Sequence, residues 1–129
     1  MTPRRTSILT AALALLLAAC GSLQTAPKAP ETPARKELAA GLALYNSGDY
    51  PGAIKLLSGS QEISKADKAT QLEAIKYTAF SYCLTGKPVP CRQQFQKALK
   101  LDPSFDLAPG EQGHPMWAPV WEKAKKPGR

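Results

Sequence analysis

Leu44-Tyr45-Asn46-Ser47-Gly48-Asp49-Tyr50 and Tyr82-Cys83-Leu84-Thr85-Gly86-Lys87-Pro88 decide how this 129-residue chain is read. Each stretch is an apolar helix end, then a glycine that permits a tight turn, then the start of a new helix. Ala53 lies five residues beyond Gly48 and Cys91 five beyond Gly86; Leu57 and Phe95 follow at nine. Both halves therefore share one register, 38 residues apart. Two helix–turn–helix units in tandem are expected.

Working outward, Thr32-Pro33 has the form of a helix start, threonine as cap and proline in the first turn. That helix runs to about Asn46 and is apolar nearly all round, so it is expected either to be sandwiched or to turn one face to a partner. Asp49 caps a second helix that tolerates Pro51 and buries Ala53, Ile54, Leu56 and Leu57, weakening at Gly59-Ser60. Ser64 or Asp67 opens a third helix reaching Leu84, with Leu72, Ile75, Ala79 and Tyr82 at helical spacing. Pro90 starts a fourth, with Cys91, Phe95, Ala98 and Leu99 inward, and Asp102-Pro103 breaks it. Residues 104–115 read as loop, followed by a short helix from about Pro119 to Lys126. No segment has the alternation of a strand, so the fold class is all-α.

Tyr45-x-x-Gly48-Asp49-Tyr50-x-x-Ala53-Ile54 resembles the middle of a tetratricopeptide repeat, and Ala98-Leu99-Lys100-Leu101-Asp102-Pro103 resembles the end of one. The spacing of 38 residues exceeds the usual 34 by about four, placed near Ser64–Lys68. The first unit lacks the terminal Asp-Pro, and Pro88 stands where an aromatic is usual. The resemblance implies two tetratricopeptide-like hairpins over residues 33–103 and a capping segment, 104–129, in which Trp117 and Trp121 cover the open end of the second. In such stacks the first helices line a concave groove. That nominates Leu38, Leu42, Tyr45 and Asn46 from the first hairpin, and Lys76 and Phe80 from the second, as a partner-binding surface. The competing expectation is that these side chains are buried against Trp117 or Trp121.

The N-terminus carries a different message. Arg4 and Arg5 precede twelve apolar residues, Ile8–Ala19, too few for the ~20 that span a bilayer. The run Leu17-Ala18-Ala19-Cys20 closing this segment resembles the lipobox of bacterial lipoproteins. The resemblance implies removal of residues 1–19, a fatty-acylated Cys20, and anchorage through lipid. Gly21 and Ser22 are not the aspartate of an inner-membrane retention signal, so the expected location is the outer membrane, facing the periplasm. Residues 20–32 carry Pro27 and Pro30 ahead of Pro33, a polyproline-type spacer of at most about 30–40 Å.

An exported chain sits in an oxidising compartment, where Cys83 and Cys91, flanking one helix–helix junction, are expected to pair. Two thiols and a lone His114 do not make a tetrahedral metal set, so no metal site and no cofactor are expected. Removing Arg4 and Arg5 takes the formal charge from +7 to +5. Most lysines punctuate helical patterns as a solvated face; no basic run is interleaved with aromatics, and nucleic acid is not an expected partner.

The tail Leu101–Pro109 with Gly113-His114-Pro115-x-Trp117-x-Pro119-Val120 resembles small lipoproteins associated with type VI secretion, the TssQ type, and the likeness covers nearly the whole chain. It implies an accessory outer-membrane lipoprotein of a secretion machine. No Gly-x-Ser-x-Gly, His-Glu-x-x-His or Cys–His–acid set is present, and an enzyme is not expected. The reading is a lipid-anchored adaptor for a protein partner in the envelope. The alternatives are a structural lipoprotein that contacts the cell wall through its charge, or a repeat lipoprotein of another envelope assembly machine.

Overall fold

The structure, a computed structural model, describes residues 28–126 and 128. These are helical, without strands: α1 (Pro33–Asn46), α2 (Tyr50–Gly59), α3 (Gln61–Ser64), α4 (Lys68–Leu84), α5 (Pro88–Leu101), α6 (Pro109–Gln112) and α7 (Ala118–Lys125). The leader, Cys20 and the first part of the spacer lie outside the described residues. α1 packs on α2, α2 on α4, α4 on α5 and α5 on α7, while α1 and α4 also touch, so each main helix leans on its predecessor.

The two glycine junctions are built alike. Gly48 (φ 83°) and Gly86 (φ 73°) are both left-handed, a conformation that a Cβ would oppose. At the first, Asp49 N–H donates to Leu44 O and Gly48 N–H to Tyr45 O; at the second, Lys87 N–H donates to Tyr82 O and Gly86 N–H to Cys83 O. This is the Schellman pattern, which satisfies carbonyls that a helix end leaves open. The helices that follow begin at Tyr50 and Pro88, again 38 residues apart, and bury Ala53 and Leu57, Cys91 and Phe95 respectively.

The helix starts follow their caps. Thr32 accepts from Arg35 N–H at 3.2 Å and Asp49 from Gly52 N–H at 2.9 Å. Asp67 accepts from the Thr70 amide at 2.9 Å and from its hydroxyl at 2.8 Å. Those two bonds, the amide first, hold the Asp67 carboxyl below its usual range. Asp67 rather than Ser64 opens the third long helix. Where extra residues are expected, at Ser64–Lys68, the chain turns from α3 into α4, and Ile63 of α3 packs into the core of hairpin α1–α2.

Two boundaries differ from the sequence reading. α5 begins at Pro88, not Pro90, because a first-turn N–H has no intrahelical acceptor and its loss there is harmless. The segment 104–115 contains one helical turn, α6, where Glu111 reaches back to accept from Ala108 N–H at 2.9 Å.

Two apolar cores meet. One joins Leu38, Ala53, Leu57, Ile63 and Ala74; the other joins Ala79, Phe80, Cys83, Cys91, Phe95, Leu107, Trp117, Trp121 and Ala124. Tyr45 and Tyr77 pack against both. The helix enclosed on nearly all sides is α4, not α1: Ala39, Ala40 and Ala43 of α1 are exposed. α4 hides three hydroxyl residues. Thr78 donates to Ala74 O and Ser81 to Tyr77 O, both at 2.7 Å, while Thr70 donates to Asp67. Each buried hydroxyl is thus satisfied within its own helix or cap, and no buried side-chain polar atom is left orphaned among the described residues.

Candidate functional site

The nominated groove is the face shared by α1 and α4, and the chain's own C-terminal segment lies over its centre. Trp117 stacks on Phe80 with ring centroids 3.9 Å apart, and His114 stacks on the other side of Trp117 at 3.7 Å. The aromatic series continues from Phe80 to Tyr77 (5.6 Å) and from Tyr77 to Tyr45 (4.9 Å), edge to face. Each such contact contributes about 0.5–1.5 kcal/mol beyond the area it buries.

Glu111 fastens this cover. Its Oε1 accepts from Lys76 Nζ at 2.8 Å, its Oε2 accepts from Ala108 N–H, and its carbonyl accepts from the Trp117 indole at 2.8 Å. The Lys76 and Glu111 side chains are only 18% and 20% exposed, so this pair is less screened by water than a surface bridge. Lys76 Nζ also sits 5.1 Å from the Tyr77 ring centre. Burial foremost, then the neighbouring Tyr50, Tyr77 and Glu111, pushes the Tyr45 phenol up to about 12.

The six nominated residues therefore part company. Leu38 is a core residue of the first hairpin, packed with Ala53 and Leu57. Phe80 is 1% exposed beneath Trp117 and presents no surface to a partner. Both are corrected from groove to core, because the cover buries Phe80 and α2 with α3 bury Leu38. Lys76 and Tyr45 are half-buried, the first held by Glu111. Leu42 is half-buried and Asn46 exposed, and neither lies under the cover's tryptophans. Sequence reasoning missed Glu111; the signal was the Ala108-Pro109-x-Glu111 spacing, in which an acid three residues after a helix start can cap it.

Cys83 and Cys91 lie at disulfide distance across the second junction, with Cα atoms 5.3 Å apart. His114 is a structural residue here: its Nδ1 accepts from Met116 N–H at 3.2 Å and its carbonyl accepts from Ala118 N–H at 2.8 Å. Among the described residues no three His, Cys, Asp or Glu side chains converge to hold a metal ion. None of the described helices is long and apolar enough to cross a membrane. The chain was compared with protein-family models, curated proteins and solved structures, and none matches it.

Proposed function

We propose that the chain is a lipid-anchored adaptor facing the periplasm, which binds a protein partner as an accessory component of type VI secretion. The observation that carries the reading is Cys20, standing after Leu17-Ala18-Ala19 at the end of a basic, then apolar leader. Acylation of its sulfur and new amine would supply the two or more chains that stable anchorage needs. The adaptor role is supported by the shared register of the two helical hairpins, which resembles tetratricopeptide repeats. It is supported too by the exposed, small-residue face of α1 (Ala39, Ala40, Ala43) beside Leu42 and Asn46. Alanines on a helix let a second helix approach closely.

Mass analysis of the mature product tests the anchor: an acylated N-terminal Cys20 is expected, and an unmodified thiol there overturns it. Photo-crosslinking from position 46 tests the adaptor. A discrete envelope adduct that disappears with Leu42→Asp is expected. No adduct from positions 39, 42, 43 and 46 overturns it.

The second reading, a structural lipoprotein in contact with the cell wall, draws on the charge of +5 that remains without Arg4 and Arg5. Pelleting with purified cell wall, retained by Leu42→Asp, would favour it.

A further inference from the structure

The positive charge is not spread evenly. Residues 87–101 hold Lys87, Arg92, Lys97 and Lys100 and no acid, whereas residues 102–117 hold Asp102, Asp106 and Glu111 and no Lys or Arg. α7 adds Lys123, Lys125 and, at its C-cap, Lys126, against a single Glu122. The seam between α5 and α7 carries two shallow depressions. One is lined by Pro88, Val89, Arg92, Val120 and Lys123. The other includes Leu99, Lys100, Lys125 and Lys126. Five cations therefore border one seam. Glu122, the acid on α7, is bonded to Lys125 at 2.7 Å, and Arg92, Lys100, Lys123 and Lys126 are in no ion pair among the described residues. Val89, 56% exposed, lines the first depression beside Arg92 and Lys123.

An exposed valine beside two unpaired cations, with further cations along the same seam, matches a surface of phosphate headgroups over hydrocarbon, where the anionic potential is felt only within about a Debye length and the valine can enter the interface. We propose that the α5–α7 seam is a docking face for an anionic phospholipid bilayer. The proposal rests on the reading that places the chain at a membrane. The tether permits it: the twelve residues 21–32 can span at most about 40 Å. From α1 to α5 is two interhelical steps, through α4, of about 8–10 Å each. The spacer enters at α1, the opposite end, and is long enough to lay the seam against the lipid. Docked so, α1 points away from the bilayer, toward the periplasm.

The test uses residues 20–129 with Cys20→Ser, so that no acyl chain contributes; both cores consist of residues 38–124 and need no leader. Co-sedimentation is measured with vesicles of phosphatidylglycerol and phosphatidylcholine, and with phosphatidylcholine alone. Binding to the mixed vesicles only, weakened by salt, is expected. The quadruple variant Arg92→Gln, Lys100→Gln, Lys123→Gln, Lys126→Gln should lose it by more than about a hundredfold, at about fivefold per charge. The equally charged control Lys28→Gln, Lys36→Gln, Lys55→Gln, Lys65→Gln should keep most of it. Both variants are checked for an unchanged helical melt. Four results overturn the proposal: no binding to the mixed vesicles, equal binding to both kinds, equal loss in the two variants, or binding to immobilised polyglutamate but not to vesicles. The last points to an acidic protein instead. None of them bears on acylation of Cys20, which mass analysis decides separately.

Discussion

The two junctions share a backbone and differ in how the following helix is held. After Gly48, the Asp49 carboxylate accepts from Gly52 N–H and so caps α2. After Gly86, Lys87 makes no side-chain cap, and the residue matching Gly52 is Pro90, which has no N–H to offer. In place of a cap the second junction has the Cys83–Cys91 pair, joining the last turn of α4 to the first turn of α5. The cores differ in the same sense. The first hairpin closes on aliphatic and small residues, with Gly41 so near Leu57 that a Cβ there would overlap it. The second closes on Phe80, Phe95, Trp117 and Trp121, half of them supplied from the tail. One register can thus be secured by local hydrogen bonding at one turn and by a crosslink and an aromatic lid at the next.

The largest effect should come from removing the lid. Trp121→Ala, deleting a ring 5.2 Å from Phe95 and 5.8 Å from Phe105, is expected to destabilise by about 3–5 kcal/mol in urea unfolding. If Leu57→Ala costs more, the aromatic closure is not what dominates. Next comes the crosslink. The double change Cys83→Ala, Cys91→Ala is expected to cost about 2–3 kcal/mol from loop entropy alone, and reducing the wild type should give a matching loss in its denaturation midpoint.

The cap contributes less. Asp49→Ala should cost about 1 kcal/mol by thermal or chemical unfolding. The converse change sharpens the contrast: Lys87→Asp should alter stability by no more than about 0.5 kcal/mol, since Pro90 leaves the new carboxylate nothing to accept from at that position. A gain of a full cap would mean that the second junction differs by accident of side chain and not by proline.

The smallest effect is a pH dependence confined to alkali. Tyr45 ionises at about 12 in the folded chain against about 10 when unfolded. Its contribution is whole below pH ~10 and is lost as pH rises toward ~12, because the unfolded chain releases that proton first. The unfolding midpoint should therefore decline over this window, and Tyr45→Phe should flatten the decline. A slope unchanged in Tyr45→Phe would assign it to another group.

The candidate face shows where reading the chain stops. Leu42 and Asn46 were nominated from the repeat resemblance; Leu42 is half-buried and Asn46 exposed on α1. Phe80 and Lys76 were found by the same logic, yet they meet Trp117 and Glu111, the latter 35 residues beyond Lys76. Periodicity places a side chain on a helix face; it carries no information about which distant segment returns to cover that face. The same holds for the seam of cations, drawn from two helices that only packing brings together.

The sequence by itself determined the all-helical class, the two glycine turns, the caps at Thr32 and Asp49, and the nearness of Cys83 to Cys91 across one turn. All of these depend on residues within a few positions of one another, where backbone hydrogen bonds and proline geometry act. Only the tertiary structure decided that Asp67 and not Ser64 opens the third long helix, that α4 is the enclosed helix, that the tail covers Phe80 with Trp117, and that α5 and α7 join their charge. Those outcomes follow from which non-local surfaces exclude the most water from one another, and that comparison exists only once the helices have packed.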